Sequence, residues 1–335
     1  MQATLAKYRH RIRNREVNPL VRWDGSSSRL IFDPADDRVP LTMMGFGGIR
    51  LDAAPQVFET RDREYAFVPV EGEFEVRIGP ETYRGQREGG PFAGLPDVSN
   101  ASAIYAPADA RVEVRGRGEM VYFTAPARGH KPPAMVRQGE RENTVRGSSI
   151  WLRRVITLFT PDDVSTVLVG GETYSPPGLW SGTPLHVHDR EDPADGQSDH
   201  EEVYYHLARN TCGKWGPFSV QFLFDDQGLD EAYVIHDRDA FAIPGAAHPV
   251  VAGPNSDLLY IWALAGQSSE LRMKDVPEFA YLKKIGAILD AAIAQRPRAP
   301  MPRAEFDELV RRHDLSADEA HVLTMHLRHQ GINIA

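Results

Sequence analysis

Two histidines separated by a single residue, His186 and His188, are the side chains of this sequence best placed for chemistry. Alternate side chains of an extended strand point to one face, so both imidazoles should face the same way. An acidic pair, Glu201 and Glu202, follows on the next predicted strand, and His248 comes after a later Pro-Gly turn. Neutral imidazoles and a carboxylate suit divalent transition metals such as zinc, iron, manganese or nickel. The pattern predicts a metal-dependent enzyme.

The acidic pair leaves one choice open. Adjacent residues of a strand face opposite ways, so only one of the two glutamates can point at the histidines. Glu202 shares a face with His206, whereas Glu201 shares a face with Tyr205. His200 competes with both as a ligand, although it falls in the predicted loop before them. The residues alone do not decide between these assignments.

The elements that must position these residues are short strands. The sequence contains 28 glycines and 25 prolines, which favours many short strands and turns over long helices. Residues 73–78 alternate polar and apolar side chains, as a half-buried strand does, and residues 258–264 form another β-forming run. Helical spacing appears after residue 279, and Ser316 with Glu319 gives a capping-box pattern there. The fold class is therefore predicted to be all-β, with a C-terminal helical extension.

The two halves of the sequence resemble each other. Residues 103–112 are similar to residues 240–249, and each segment leads through a turn into an aromatic strand. In this alignment Glu64 lies within one residue of the position of Glu202, and an arginine takes the position of His248. No His-x-His pair precedes Glu64. The first half is thus predicted to form the same kind of barrel without the metal.

These patterns divide the chain into five segments. The predicted division is an N-terminal arm (1–28), an N-terminal barrel lacking metal ligands (29–126), a linker (127–149), a metal-binding C-terminal barrel (150–275) and a helical tail (276–335). The arm is polar and is predicted to be irregular or weakly helical. The tail is predicted to serve packing or a homo-oligomer contact.

Composition excludes several classes of function. The net charge of −9 leaves no basic surplus to neutralise phosphates, which excludes a nucleic-acid binder. No apolar run is long enough to span a membrane, and the basic first residues lack the apolar core of a signal peptide. Cys212 is the single cysteine, so no internal disulfide can form, and a reducing cytoplasm is the expected location.

Six short segments, in a specific order and spacing, carry a family resemblance. They are residues 172–181, 184–189, 201–205, 229–233, 243–245 and 248–250. On these segments the sequence resembles the 5-deoxy-glucuronate isomerases of inositol catabolism and the related 4-deoxy-5-keto-uronate ketol-isomerases of pectin breakdown. The resemblance covers roughly residues 30–280. It implies a bicupin, in which two double-stranded β-helix barrels stand in tandem.

The resemblance also implies roles for individual residues. The family's metal ligands, carried over one by one, fall on His186, His188, Glu202 and His248. The positions that shape the family's pocket fall on Trp180, Tyr205 and Gln221. The expected cofactor is a divalent metal ion (Zn, Mn, Fe or Ni), and the expected partner is a small-molecule sugar acid.

The implied activity is metal-dependent aldose–ketose isomerisation of a deoxy-uronate or a related sugar acid. This reaction moves a proton between adjacent carbons, and Glu201, Tyr205 and His206 are the candidate bases. Arg153 and Arg154 are candidates to bind the substrate carboxylate, because a guanidinium matches a carboxylate in bidentate geometry. Two alternatives remain open: an iron-dependent cupin dioxygenase, and a non-catalytic bicupin that binds sugar acids.

Overall fold

The N-terminal arm folds onto the C-terminal half of the molecule. A computed structural model describes residues 4–52, 54–268, 270–296 and 299–335. In it the arm forms helix α1 (Thr4–Arg13) and strand β1 (Leu20–Arg22). Tyr8 and Ile12 of α1 are buried in the apolar core of the C-terminal barrel, and β1 pairs with the strand at residues 239–243. The arm was predicted to be irregular or weakly helical; residues 4–13 form a full helix, because the apolar face of α1 packs on a surface about two hundred residues away in sequence.

The N-terminal barrel is a single sheet of eight antiparallel strands. Its strands are β2 (Arg29–Phe32), β3 (Gly45–Leu51), β4 (Gln56–Glu59), β5 (Arg63–Ile78), β6 (Glu81–Arg87), β7 (Ala103–Ala106), β8 (Arg111–Pro126) and β9 (Ala134–Val136). Aromatic rings fill its interior, where Phe58 lies 5.2 Å from Tyr122 and 5.5 Å from Phe67 between ring centroids. The described part of this barrel holds no group of three His, Cys, Asp or Glu residues close enough to bind a metal.

The C-terminal barrel is built from three sheets. Its strands are β10 (Thr144–Arg146), β11 (Arg153–Phe159), β12 (Val169–Ser175), β13 (Trp180–Ser181), β14 (His186–Val187), β15 (Asp189–Asp192), β16 (Gln197–Asn210), β17 (Ser219–Phe224), β18 (Asp230–Ile235), β19 (Asp239–Ile243), β20 (Val250–Ala252), β21 (Ser256–Gly266) and β22 (Lys274–Asp275). The largest sheet runs in the order β1, β19, β16, β21, β12, β11, β10. Strands β9 and β10 lie in the predicted linker, and each joins a different barrel.

The two barrels share one apolar core, which surrounds a buried ion pair. Arg87 of the N-terminal barrel donates two hydrogen bonds, of 2.6 and 2.8 Å, to the carboxylate of Glu172 in the C-terminal barrel. Its remaining donors bond the carbonyl of Pro69 and the side chain of Asn100, both at 2.9 Å. Both side chains of the pair are almost fully buried, so water cannot replace the hydrogen bonds that the planar guanidinium makes.

Arg87→Lys tests this contact between the barrels. A lysine presents a single ammonium group, so one Glu172 oxygen or the Asn100 amide loses its donor. We expect the free energy of unfolding to fall by about 1–2 kcal/mol, measured as a decrease of about 1–3 °C in the Tm of this 335-residue chain. Arg84→Lys is the control, because Arg84 pairs with Glu75 at an exposed site. The same small change in both variants would contradict a special role for the buried pair.

Two glutamates clamp the barrels together in a reciprocal manner. The carboxylate of Glu64, in the N-terminal barrel, accepts hydrogen bonds of 2.7–2.8 Å from the backbone N–H groups of residues 166–168. The carboxylate of Glu201, in the C-terminal barrel, accepts bonds of 2.6–3.1 Å from the backbone N–H groups of residues 42–44. Each barrel therefore holds a loop of the other through one buried, ionisable side chain.

This reciprocity agrees with the alignment of the internal repeat. Glu64 lies opposite Ala125 on β8, and Glu201 lies opposite Ala265 on β21. The structural counterpart of Glu64 is therefore Glu201, one residue before Glu202, as the alignment of residues 103–112 with residues 240–249 places it. Tyr65 then corresponds to Glu202, which explains why aromatic rings occupy the N-terminal barrel.

The helical tail packs against the C-terminal barrel. It contains α2 (Tyr281–Gln295), α3 (Arg303–Arg312) and α4 (Ala317–His329). The predicted capping box is confirmed: Glu319 N–H donates to Ser316 Oγ, and Ser316 N–H donates to the Glu319 carboxylate. Across the described ranges, no helix combines the length and the apolar character needed to cross a membrane.

Candidate metal centre and substrate cavity

Four predicted site residues meet inside the C-terminal barrel. His186 lies on β14, His188 directly after it, Glu202 on β16, and His248 between β19 and β20. Ring nitrogens of the three histidines lie within 4.8 Å of one another. The Glu202 Oε2 atom lies 3.3 Å from His188 Nε2 and 3.1 Å from His248 Nε2. Three imidazoles and one carboxylate thus converge on a single point.

Backbone carbonyls set the tautomer of each of these histidines. The Nδ1 atom of every ring contacts a carbonyl oxygen: Pro184 for His186 at 3.2 Å, His200 for His188 at 2.9 Å, and Ala246 for His248 at 2.8 Å. A carbonyl oxygen only accepts, so Nδ1 carries the hydrogen and Nε2 presents a lone pair. The Nε2 atoms of His188 and His248 are buried and find no hydrogen-bond partner among the described residues. This donor set fits a divalent metal ion.

Burial and charge put two of these groups, His186 and Glu202, in the protonation states that a metal requires. Burial lowers the pKa of His186 to about 3, with a smaller contribution from the neighbouring His248 and His188. Burial alone would raise the pKa of Glu202, but the close approach of His188 and His248 to its carboxylate outweighs burial and brings that pKa to about 2. At neutral pH, His186 is therefore neutral and Glu202 is ionised, as metal ligands must be.

Two residues predicted to bind substrate instead support the site. Gln221 is fully buried, and its Nε2 donates to the carbonyls of His248 at 2.7 Å and Pro249 at 3.1 Å. It therefore fixes the turn that carries His248. The ring of Trp180 stacks on Phe222 at a centroid distance of 5.6 Å. Neither Gln221 nor Trp180 lines the cavity described next.

A cavity of about 600 Å³ opens onto the metal-binding groups. Its polar lining includes Arg146, Arg153, Thr157, Thr160, Thr173, Thr183, His186, Glu202, Tyr204, Tyr260, Asp275 and Lys283. Arg153, a candidate for binding the substrate carboxylate, lies on this wall, and its Nη1 donates to the carbonyl of Thr183 at 3.0 Å. Arg154 does not line the cavity, because it alternates with Arg153 on β11 and faces the other side of the sheet.

None of the three predicted bases lines this cavity. The Glu201 carboxylate accepts hydrogen bonds from the loop of the N-terminal barrel. The Tyr205 hydroxyl donates to Glu119 at 2.6 Å within the shared core. Both side chains face away from the histidines, so neither can act as the base. His206 shares the inward face with Glu202 but lies deeper, and its two ring nitrogens have no hydrogen-bond partner among the described residues.

Several residues that line the cavity were not predicted from the sequence. Tyr204 alternates with Glu202 along one strand, so strand periodicity alone was enough to place Tyr204 on the cavity side. Asp275 lies opposite His186 in the β14–β22 pair, and Lys283 reaches the cavity from α2. Those two depend on contacts between segments about ninety residues apart, and no local pattern marks them.

The buried His206 makes stability depend on pH. Burial lowers its pKa from 6.5 to about 3, so between these values the unfolded chain binds a proton that the folded chain does not. The free energy of unfolding therefore falls as pH falls below 6.5, by about 1.4 kcal/mol per pH unit for this group. We expect Tm, measured from pH 7.5 to 5.0, to fall less steeply in His206→Gln than in the wild type. Exposed His236 gives the control, since His236→Gln should keep the wild-type slope. Identical slopes in all three proteins would contradict the prediction.

Comparison with known proteins agrees with this geometry. The model of the KduI/IolB family matches residues 20–282. A 5-deoxy-glucuronate isomerase of Geobacillus kaustophilus is 29% identical over 226 residues, which cover 66% of this chain and 78% of that protein. A 5-deoxy-glucuronate isomerase of Lacticaseibacillus casei is 26% identical over 266 residues, which cover 77% of this chain and 94% of that protein.

Solved structures support the fold. An IolB-like protein of Salmonella typhimurium superposes with a TM-score of 0.72 at 24% identity, covering 80% of this chain and all of that one. A variant of the oxalate decarboxylase of Bacillus subtilis superposes with a TM-score of 0.54 at 11% identity, covering 91% of this chain and 86% of that one. These likenesses confirm the predicted tandem cupin architecture. The chain therefore belongs to the KduI/IolB family, and it is a bicupin enzyme of the isomerase class, an intramolecular oxidoreductase.

Proposed function

We propose that this protein is a metal-dependent aldose–ketose isomerase whose substrate is a deoxy-uronate of the 5-deoxy-glucuronate type. The observation that carries the proposal is the convergence of three lone-pair-bearing imidazoles and Glu202 at one end of a cavity that also contains Arg153. The curated relatives named 5-deoxy-glucuronate isomerase supply the substrate class.

His186, His188, Glu202 and His248 are the residues that would hold the metal. A divalent ion bound there supplies a Lewis acid for the negative charge that develops on adjacent substrate oxygens during isomerisation. The three nitrogen donors and one oxygen donor are compatible with Zn, Mn, Fe or Ni, so metal analysis of the purified protein is needed to identify the ion.

Two tyrosines on the cavity wall act as hydrogen-bond donors in this proposal. Burial raises the pKa of both Tyr204 and Tyr260, so their hydroxyl groups stay protonated across the physiological range. Protonated hydroxyls can donate to the substrate oxygens that gain charge as the proton leaves carbon. Tyr260 is also in contact with Ser181 Oγ, which restrains its hydroxyl group at the cavity surface.

The test is turnover of 5-deoxy-glucuronate by the metal-loaded protein under anaerobic conditions. The proposal predicts a ketose product of the same mass, loss of turnover after chelation, and recovery when a divalent metal is returned. Turnover that requires oxygen would instead indicate a cupin dioxygenase. Retained metal without turnover across a panel of uronic acids would indicate a non-catalytic sugar-acid-binding bicupin.

A further inference from the structure

Two arginines face each other on the wall of the cavity. Arg146 on β10 and Arg153 on β11 are direct partners in the register of the sheet, and both line the cavity. Like charges placed directly opposite each other destabilise a pair of strands. Burial lowers the pKa of Arg153, and the charge of Arg146 lowers it further, which places the two guanidinium groups within electrostatic reach of each other. An anion held between the two guanidinium groups would relieve this repulsion.

No carboxylate of the described chain compensates this pair. Arg153 donates to the carbonyls of Trp151 and Thr183, and within the described ranges neither arginine forms an ion pair. The third cation of the cavity, Lys283, is already paired with Asp275 at 2.6 Å. The other acidic group of the cavity, Glu202, is directed at His188 and His248. The two arginines are therefore the uncompensated positive charge of the cavity.

We propose that Arg146 and Arg153 together form the subsite for the carboxylate of the substrate. This inference rests on the proposed function and deepens it, because it names the groups that select an anionic sugar over a neutral one. Two guanidinium forks can hold one carboxylate through charge-assisted hydrogen bonds.

The carboxylate subsite is joined to the metal centre by a short segment of chain. The Arg153 guanidinium bonds the carbonyl of Thr183, and the next residue, Pro184, accepts the hydrogen bond from His186 Nδ1. Replacement of Arg153 can therefore disturb His186 as well as the subsite. Arg146 has no hydrogen bond of this kind within the described ranges, so it is the cleaner position to change.

The test is binding of D-glucuronate to the metal-loaded full chain by calorimetry, with D-glucose as the uncharged comparison. Loss of one charged hydrogen-bonding partner should weaken D-glucuronate binding about tenfold or more in Arg146→Gln, and at least as much in Arg153→Gln. Binding of D-glucose should not change in Arg146→Gln. Arg154→Gln is the matched control, because it removes the same charge from the opposite face of the same strand.

The outcomes separate this inference from the proposed reaction. D-glucuronate binding by Arg146→Gln at wild-type strength would overturn the subsite, even if the wild-type protein isomerises 5-deoxy-glucuronate. An equal loss of binding in Arg154→Gln would also overturn it, because the effect would then be general electrostatics. Arg146-dependent binding without any turnover would support the subsite and refute only the reaction.

Discussion

His186→Ala is expected to abolish metal binding and isomerase activity while leaving the fold intact. The imidazole is neutral at working pH and provides one of four donors, so its loss leaves a three-donor site with a gap filled by water. Loss of a group that merely supports a ligand costs about 10–100-fold in metal affinity, so loss of a ligand should cost about 100-fold or more. Metal content by mass spectrometry and turnover of 5-deoxy-glucuronate are the two measurements.

The control for this experiment is another histidine of the same barrel. His236 is exposed and lies outside the cavity, so His236→Ala should retain wild-type metal content and turnover. His186→Ala should also keep a cooperative thermal transition, since His186 is only partly buried and lies on a two-residue strand. Wild-type metal content in His186→Ala would show that the ion binds elsewhere and would remove the basis of the proposed function.

The three histidines of the candidate metal centre were predictable from sequence because each sits in a local pattern. The alternation of His186 and His188 fixes their common face within three residues, and a Pro-Gly turn marks the approach to His248. The choice between the two glutamates was not fixed by local pattern. Strand β16 is buried on both faces, so the alternation of apolar and polar residues that normally identifies the inward face is missing.

The same lack of an apolar–polar alternation explains why Glu201 and Tyr205 were chosen as candidate bases. Val203 and Tyr205 face the core shared by the two barrels, whereas Tyr204 and His206 face the interior of the C-terminal barrel. Both environments accept aromatic and polar side chains, so composition does not separate them. The separation requires knowledge that a second barrel covers the outer face of the sheet, which is a property of the tertiary structure.

The two barrels have kept their mutual contacts and have diverged in their interiors. Glu64 and Glu201 hold equivalent loops of the opposite barrel, although only one barrel assembles metal-binding groups. At the next position along each strand, Tyr65 joins an aromatic cluster and Glu202 faces two histidines. The clamp is therefore a requirement of packing, and it is independent of the chemistry in either barrel.

Replacement of the neighbours Glu201 and Glu202 should consequently give opposite results. Glu201→Ala leaves the N–H groups of residues 42–44 without their acceptor, and we expect the free energy of unfolding to fall by about 3 kcal/mol or more. For a chain of 335 residues this loss corresponds to a decrease of about 4 °C or more in Tm. Metal content per folded chain should remain at the wild-type level, because the Glu201 side chain points away from the histidines.

Glu202→Ala should instead release the metal and leave the Tm of the metal-free protein nearly unchanged, since its carboxylate contacts only His188 and His248 among the hydrogen-bonding groups described. Glu64→Ala is the matched control for the clamp and should reproduce the stability loss of Glu201→Ala from the other barrel. Calorimetry gives the Tm of each of the three variants, and metal analysis gives the metal content of each. Loss of metal in Glu201→Ala at full stability would reverse the assignment of the two glutamates, because it would require Glu201 to face the histidines.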